Sequence, residues 1–200
     1  MSIDARNIVF LDVDTQYDFM MPDGALYVPG AEKLIPRLRR LVAFAAANGV
    51  PVVASLDTHV PRDPEFEKFP PHCIKGTNGH AKIAATRHPR ARVIENRPQE
   101  IAFAPGEALV LEKSVHGLFD NANADAVLRA VGRRHYVVFG VATELCVRAA
   151  VLGLLERDIN VTVVSDAIAG INPTAAENAL AEMKAKGASF ATTAEVIGEA

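Results

Sequence analysis

The amino-acid sequence predicts an α/β fold in three layers, with a doubly wound, mainly parallel β-sheet between helices on both faces. Three features of the 200-residue chain lead to this prediction. Short apolar runs rich in β-branched residues recur along the chain and are typical of strands buried in a parallel sheet. Segments with apolar residues at helical spacing lie between these runs, which is the alternation that βαβ units require. Polar residues follow several of the runs, at the strand ends where α/β proteins collect functional groups.

The first part of the chain contains one βαβ unit. Residues 7–13 form the first predicted strand, and residues 50–56 form the second. Between them, residues 31–48 carry leucine, valine and alanine at the spacing of one helix face, and Gly49 is a natural stop for that helix. A strand, a crossover helix and a second strand place the two strands parallel in one sheet.

The middle of the chain gives no clear prediction of secondary structure. Seven prolines interrupt residues 60–106, and the runs at 82–85 and 91–94 are too short to assign. Because an irregular region of this length in a compact domain usually carries function, we expect part of a site here.

The second half of the chain returns to a regular alternation of strands and helices. The predicted elements, in chain order, are a strand at 108–111, a helix at 123–131, a strand at 135–139, a helix through residue 155 with Cys146 in its first turn, a strand at 160–164, a helix at 173–186 and a short strand at 188–191. Asn172 and Thr174 are candidate caps for the last helix, and Gly187 ends it. Because no internal repeat or linker divides the chain, we expect residues 1–200 to form a single domain.

Composition and charge narrow the classes of partner and location. Half of the residues are apolar and 22% are charged, the balance of an ordinary soluble protein. A net charge of −3 without a basic cluster argues against a nucleic-acid partner. No apolar run reaches the roughly 18 residues that a membrane span needs, and the first residues lack the pattern of a signal peptide. Cys73 and Cys146 form no dense disulfide framework, which fits a reducing cytoplasm, although the sequence leaves a single disulfide between them open.

Cys146 is a candidate nucleophile because of the segment around it, FGVATELCVRAA at 139–150. A strand, a tight turn and a helix there place the thiol in the first helical turn. Unpaired N–H groups and the positive end of the helix dipole stabilise a thiolate, so we expect the pKa of Cys146 to be lowered. The alternative is a small buried apolar residue, which is the commoner role of a lone cysteine.

Two further polar residues follow predicted strands and complete a chemically coherent trio with Cys146. If their strands are neighbours, Asp14 and Lys113 converge with the thiol on one cleft. Cys146 would then attack an electrophilic carbon, Asp14 would accept and later return a proton, and Lys113 would hold the carboxylate. Taken singly, each residue also has a purely structural interpretation as a capping aspartate, a surface lysine or a core cysteine.

Carboxylate and imidazole groups cluster after the second predicted strand. Asp57 and His59 are two residues apart, which on an extended segment points both side chains to the same side. Such ligands suit Zn, Fe(II) or Mn(II). The predicted metal ligands are Asp57, His59, Glu65 and His72. Asp63 and Glu67 are alternatives to Glu65, and chance proximity of histidine and carboxylate groups is the alternative to a metal site.

These residues stand in motifs that resemble the isochorismatase-like cysteine hydrolases and, within that family, the nicotinamidases. The motifs span nearly the whole chain and are DTQYDF at 14–19, SLDTH at 55–59, FPPHCIKGT at 69–77, LEKSVHGLF at 111–119, GVATELCV at 140–147 and SDAIAG at 165–170. The resemblance places the family's catalytic residues on Asp14, Lys113 and Cys146. Asp14 is the match, and Asp12 is not, because Asp14 stands two residues before Gln16.

The resemblance also implies a metal site and a substrate pocket. The family's ligands fall on Asp57, His59 and His72, with Glu65 where members carry His or Glu, and they imply one divalent transition metal, Zn, Fe or Mn. A cis peptide is implied between Val141 and Ala142, with the amides of Ala142 and Cys146 directed at the developing oxyanion. The implied substrate-binding residues are Phe19, Phe69, Val141 and Ala142.

Some positions depart from the family pattern. Tyr17, Phe69 and Leu145 stand where Asn, Trp and His are frequent, and the segment 78–105 is longer than in compact members. These departures concern ring selectivity and the rim of the pocket more than the reaction.

The function implied by the resemblance is hydrolysis of nicotinamide to nicotinate and ammonia through a thioester, with pyrazinamide as a further substrate and a role in NAD salvage. One alternative is hydrolysis of another small amide, such as a carbamoyl amino acid or a maleamate-like compound, whose enzymes generally lack the metal set. A second alternative is a non-catalytic binding module on the same fold. Apolar helix faces are compatible with a homo-oligomer, and nothing in the sequence sets its subunit number.

Overall fold

The computed structural model describes residues 5–132 and 135–199; the first four residues, part of the N-terminal segment considered above, lie outside this range. The strands of the described residues are β1 (Val9–Val13), β2 (Val52–Asp57), β3 (Ala91–Ile94), β4 (Ala108–Lys113), β5 (His135–Val141), β6 (Asn160–Ala169) and β7 (Ser189–Ala191). They form one sheet in the order β3-β4-β2-β1-β5-β6-β7, and every pairing is parallel. The predicted fold class is confirmed.

Helices cover both faces of this sheet. They are α1 (Tyr17–Met20), α2 (Ile35–Asn48), α3 (Ala124–Val131), α4 (Arg148–Leu155), α5 (Pro173–Ala185) and α6 (Thr193–Ile197). Leu38 and Leu41 of α2 pack into the core on one face, and Val151 of α4 and Met183 of α5 pack into the core on the other. Burial of an apolar stripe from each helix holds the three layers together.

The strand order brings the ends of four strands to one region. β1 lies between β2 and β5, and β4 lies beside β2 with Lys113 opposite Asp57. Asp14 directly follows β1, and Cys146 lies in the turn that follows β5. Because the chain moves from β1 to β2 on one side and reaches β5 on the other, a crevice forms at the carboxyl ends of the strands beside β1.

Several predicted elements are confirmed with bounds that shift by a few residues. The predicted helix at 31–48 begins as a 3₁₀ turn, Ala31–Leu34, and continues as α2. Gly49 ends α2 in a left-handed conformation with φ of 63°. Asn172 caps α5 by accepting a hydrogen bond of 2.9 Å from the N–H of Ala175, whereas the other candidate cap, Thr174, lies inside the helix.

Other elements were predicted too short or left unassigned. The strand predicted at 160–164 continues to Ala169 as β6, because its second half pairs with Gly140 and Val141 of β5 after an irregularity in register. Residues 91–94 form the edge strand β3. Neither α1 nor α6 was predicted, since four or five residues do not reveal a helical period.

A membrane span is not found in the described part of the chain, where no helix is long and apolar enough to cross a bilayer.

Candidate active site

The structure brings together the three residues predicted to be catalytic. Lys113 Nζ lies 2.8 Å from Asp14 Oδ2 and 3.5 Å from Cys146 Sγ. All three are buried, with 0%, 2% and 7% of Asp14, Lys113 and Cys146 exposed. A carboxylate, an ammonium and a thiol within direct contact and away from bulk water can exchange a proton and stabilise charge on sulfur.

Asp14 is held on both of its carboxylate oxygens. Ser55 Oγ donates to Asp14 Oδ1 at 2.7 Å, while Oδ2 faces Lys113. Gln16 fastens the same loop to the end of β2, since its Nε2 donates to the Asp57 carbonyl at 2.8 Å and its Oε1 accepts the Asp57 N–H at 2.7 Å. These bonds give a physical reason for the spacing between Asp14 and Gln16 in the sequence motif.

Part of the segment 78–105, in which the sequence showed no recognisable motif, packs against the loop that carries Asp14. Lys82 Nζ forms an ion pair of 3.0 Å with the buried Asp12 carboxylate and donates to Thr15 Oγ1 at 3.0 Å. The N–H of Tyr17 donates to the Ala81 carbonyl at 2.9 Å. Asp12 therefore pairs with Lys82 and not with Lys113, and it supports the loop that carries Asp14.

Lys113 is a buried cation between two carboxylates. Its Nζ lies 2.9 Å from Asp57 Oδ1 in addition to its contact with Asp14. Burial alone would lower the pKa of Lys113, but the charges of Asp14 and Asp57 raise it well above its usual value. Burial would likewise raise the pKa of Asp57, but the Lys113 ammonium and the neighbouring histidine rings hold it well below its usual value. Lys113 is therefore an ammonium and Asp57 a carboxylate at neutral pH.

The expected lowering of the pKa of Cys146 is wrong. Burial raises the pKa of the Cys146 thiol well above its usual value, and the Lys113 cation opposes this shift without reversing it. Cys146 lies in a single π-helical turn, Thr143–Val147, that precedes α4. In this dry position the loss of hydration outweighs the turn's N-terminal dipole. The resting group is thus a thiol that needs a base for attack.

The peptide between Val141 and Ala142 is cis, as the motif resemblance implied. Val141, Ala142 and Cys146 all line the same cavity. Cys73 and Cys146 are both free thiols, so the disulfide that the sequence left open is not formed.

Asp57, His59 and His72 form a cluster whose ligand atoms lie within 4.8 Å of one another. Nε2 of His59 and Nε2 of His72 lie 3.0 and 3.2 Å from Asp57 Oδ2. All three residues are buried. Two imidazoles and a carboxylate are a donor set that Zn, Fe(II) and Mn(II) accept.

The outer contacts of the two histidines show that a cation fits between them. His72 Nδ1 donates to the Pro70 carbonyl at 2.8 Å, and His59 Nδ1 faces the Asp63 carboxylate at 3.1 Å. A proton on Nδ1 of each ring would leave both Nε2 lone pairs directed at the Asp57 carboxylate, and a cation would hold such a set of acceptors together. Burial favours neutral His59, but the flanking carboxylates of Asp57 and Asp63 raise its pKa.

The three carboxylates considered as a further metal ligand, Asp63, Glu65 and Glu67, lie in different environments in the structure. Asp63 sits at the far nitrogen of His59, where it orients the ring. Glu67 is exposed. Glu65 lines the cavity, although it is not part of the three-residue cluster found among the described residues. Sequence spacing could not separate these three residues, because they lie within five positions of one turn-rich segment.

Aromatic and apolar side chains form the walls of the cavity. The rings of Phe19 and Phe69 lie 5.4 and 6.3 Å from the ring of His72, and both residues line the cavity as expected. Other lining residues were not predicted: Leu26, Val115, His116 and Ile171. The cavity thus has two aromatic rings in its walls, both near the ring of His72.

His116 is the polar lining residue that the sequence reasoning missed. Its Nδ1 lies 3.9 Å from Cys146 Sγ, and its ring meets the ring of Phe69 edge to face at 6.0 Å. It belongs to the motif that contains Lys113, but no spacing rule distinguishes it from a loop histidine.

Comparison with known proteins places the chain in a family. The model of the Isochorismatase domain matches residues 8–195. The chain belongs to the isochorismatase family. It is 28% identical to a nicotinamidase of Escherichia coli (strain K12) over 209 aligned positions, which cover 92% of this chain and 93% of the relative.

Solved structures of the family share the fold. Pyrazinamidase of Pyrococcus horikoshii, in complex with zinc, has a TM-score of 0.77 at 29% identity and covers 93% of this chain and 99% of its own. N-carbamoylsarcosine amidase of Thermoplasma acidophilum has a TM-score of 0.73 at 29% identity, covering 94% of this chain and 96% of its own. The chain is an amidohydrolase of this family.

Proposed function

We propose that this amidohydrolase is a nicotinamidase, which hydrolyses nicotinamide to nicotinate and ammonia and also accepts pyrazinamide. The observation that carries the proposal is one cavity lined by Cys146, by Asp57 and His72, and by the rings of Phe19 and Phe69. Lys113, which contacts Asp14, Asp57 and Cys146, links the trio to the Asp57, His59 and His72 cluster beside this cavity. The sequence similarity of the chain to a nicotinamidase (28% identity) and to a pyrazinamidase solved with zinc (29% identity) supports the proposal.

The cavity would orient the substrate by its ring. Phe19 and Phe69 would flank the pyridine ring, and Val141 and Ala142 would line its path to the thiol. Asp57, His59 and His72, with Glu65 at the cavity wall as a further ligand, would hold a Zn, Fe or Mn ion, which would supply a Lewis acid for the ring nitrogen of the substrate.

Acylation follows from the contacts of Cys146. The Cys146 thiol passes its proton to Asp14 while Sγ attacks the carboxamide carbon, and the carbonyl oxygen gains negative charge that the N–H groups of Ala142 and Cys146 stabilise. Asp14 returns the proton to the amine, the C–N bond breaks, and ammonia leaves a thioester on Cys146. Lys113 stays protonated and compensates the charge that moves between Asp14 and Sγ.

The wider setting follows the same proposal. The chain would act as one domain over residues 1–200, in the cytoplasm, in NAD salvage and on a small-molecule substrate without nucleic acid or membrane. The apolar helix faces are compatible with a homo-oligomer.

The test is ammonia release from nicotinamide by wild type, Cys146→Ala and Cys73→Ala, before and after removal and restoration of metal. We expect wild type and Cys73→Ala to release ammonia when metal is present and to lose this activity when it is removed. Cys146→Ala should release no ammonia in any of these conditions. A metal-loaded wild type without ammonia release would contradict the proposal.

A second candidate function is hydrolysis of a carbamoyl amino acid. The likeness to N-carbamoylsarcosine amidase at 29% identity favours it, and the buried three-ligand cluster speaks against it because enzymes of that type generally lack the metal set. Metal-independent ammonia release from a carbamoyl amino acid, without activity on nicotinamide, would establish this alternative.

A further inference from the structure

The motif SDAIAG at 165–170 supplies no residue to the proposed reaction, yet it ends beside the candidate active site. Its last residue, Gly170, opens the short connection between β6 and α5, which continues through Ile171 and Asn172. Ile171 lines the same cavity as Cys146. Connections at the carboxyl ends of parallel strands form the walls of ligand crevices. The group that holds this connection in place therefore also sets one wall of the cavity.

Glu144 holds the connection by two backbone hydrogen bonds. The N–H groups of Ile171 and Asn172 donate to Glu144 Oε1 at 2.9 and 2.7 Å. Hydrogen bonds to a carboxylate are about twice as strong as those between neutral groups. Because these two N–H groups flank the Cα atom of Ile171, the bonds fix the direction in which its side chain leaves the backbone.

Gly170 packs closely against the same carboxylate. A Cβ atom at Gly170 would lie 2.5 Å from Glu144 Oε2 and 2.8 Å from Cβ of Ala176. No side chain fits into that space, which explains the glycine at the end of the motif. Glu144 Oε2 is buried and, among the described residues, has no hydrogen-bond partner. The two bonds from the connection to Oε1 are therefore the ones that a substitution of Glu144 removes.

Glu144 also belongs to the turn that carries the thiol. It lies two residues before Cys146 in the π-helical turn Thr143–Val147. Its carboxylate contacts the connection, and within the described part of the chain it is not among the residues that line the cavity. Glu144 thus reaches a bound substrate only through Ile171, and it ties this wall of the cavity to the turn that bears the nucleophile.

We propose that Ile171 determines which ring substituents the cavity accepts, and that Glu144 is the positioning residue that holds Ile171 in place. This inference rests on the proposed hydrolysis of nicotinamide, because it concerns the ring of that substrate. Ile171 offers only apolar surface, so the part of the ring beside it carries neither a polar group nor a bulky substituent.

Ring-substituted substrates test the role of Ile171. The probes are nicotinamide and its four derivatives with one methyl group at ring carbon 2, 4, 5 or 6, with metal-loaded enzyme. For at least one isomer, kcat/KM relative to that for nicotinamide should be about tenfold higher in Ile171→Ala than in wild type, the size expected when an apolar pocket gains room for a methyl group. Loss of folded enzyme lowers both rates equally, so unchanged ratios for all four isomers would overturn the proposal.

The same ratio tests the role of Glu144. Glu144→Ala should raise it for the same isomer, whereas Glu144→Gln keeps an acceptor oxygen and should retain the wild-type ratio. Because Glu144 acts through Ile171, the double variant should show the ratio of Ile171→Ala alone. A wild-type ratio in Glu144→Ala, or multiplied effects in the double variant, would contradict the positioning role.

Glu182→Ala is the matched control. The Glu182 carboxylate also joins α5 to the helix after the thiol, since it accepts from Arg148 Nε and Nη2 at 2.5 and 2.8 Å. Its removal should leave the ratio as in wild type. A rise equal to that in Glu144→Ala would show that any loosening of α5 changes the ratio, and would overturn the specific role of Glu144.

Failure of the proposed substrate can be told apart from failure of the positioning role. Hydrogen exchange at the amides of Ile171 and Asn172, measured by NMR without substrate, should be about tenfold faster in Glu144→Ala than in wild type. Wild-type exchange rates in that variant would overturn the positioning role. A wild type that releases no ammonia from nicotinamide contradicts the nicotinamidase proposal, and the assignment of ring selectivity to Ile171 falls with it, whereas the exchange rates still decide the role of Glu144.

Discussion

Lys113 determines the electrostatics of the site at the scale of single residues. It is almost fully buried, yet it is charged because Asp14 and Asp57 lie 2.8 and 2.9 Å from its ammonium. The same cation limits the cost of placing two carboxylates and a thiol in a dry crevice. The sequence around Lys113 predicts only that this residue lies at the end of a strand. Its partners, Asp14 and Asp57, come from other strands of the sheet.

Replacing Lys113 with Met should therefore cost both stability and activity. The change leaves two buried carboxylates without their partner, and removing one member of a buried ion pair typically costs about 3–5 kcal/mol. The measurement is urea unfolding together with ammonia release. Lys75→Met is the matched control, since Lys75 pairs with Glu112 at 2.8 Å from a half-exposed position and should cost at most about 1 kcal/mol. Equal losses in the two variants would contradict this account.

The two cysteines should differ in reactivity. Cys146 lines the cavity, whereas Cys73 is fully buried outside it and its pKa is raised strongly by burial. In metal-free protein we expect a small alkylating agent to modify Cys146 first. Because burial raises the pKa of Cys146 as well, its labelling rate should keep rising above the usual pKa of a cysteine. Mass spectrometry of peptides labelled across a pH series measures both effects, and a rate that levels off near neutral pH would contradict the second.

At the scale of elements, the close approach of β1 and β5 positions Asp14 and Cys146. Gly140 allows it, because φ at this position is 119° and a Cβ there would overlap the Val13 carbonyl oxygen. The two strands pair in register up to Val13 and Gly140. A side chain at this point would force apart the two strand ends that carry the trio.

Gly140→Ala should consequently lower activity more than stability alone explains. It combines a left-handed backbone conformation with a backbone overlap, and strain of this kind costs of the order of 1–3 kcal/mol. Gly132→Ala is the control, since Gly132 has φ of 71° but its nearest neighbouring atom to an added Cβ lies at 3.8 Å. Unfolding free energies and ammonia release are compared for both variants. Wild-type turnover in folded Gly140→Ala would show that strand spacing does not position the trio.

At the scale of the whole molecule, a metal would join segments that are distant in the sequence. Asp57 ends β2, His59 lies just beyond it, and His72 comes from the irregular region. An ion that binds only the folded protein adds stability by mass action, about 2.7 kcal/mol at a concentration 100 times its dissociation constant. The expected result is a higher Tm on addition of Zn or Mn to wild type and no increase in His72→Ala.

The metal-dependent increase in Tm should shrink in acid. The raised pKa of His59 means that protons compete with the metal for Nε2 at higher pH than for an ordinary histidine. Metal-induced stability is thus present above the raised pKa of His59 and is lost as pH falls through it. Thermal unfolding with and without metal over a pH series measures this loss. A constant metal-induced increase down to acid pH would place the ion elsewhere.

The sequence by itself determined the longer strands and helices and the residue types at their ends. Strand and helix periods are local, so residues 7–13, 31–48 and 108–111 could be assigned without knowledge of their neighbours. The motifs around Asp14 and Cys146 likewise resembled those of the family that the comparison then showed.

The tertiary structure alone decided the environment of those residues. Strand order placed Lys113 between Asp14 and Asp57, and burial reversed the expected shift in the pKa of Cys146. The tertiary structure also places Asp63 beside Nδ1 of His59 and His116 beside Sγ of Cys146. Hydration and electrostatic energy depend on the groups packed around an atom, and those groups come from strands and loops that are distant in the sequence.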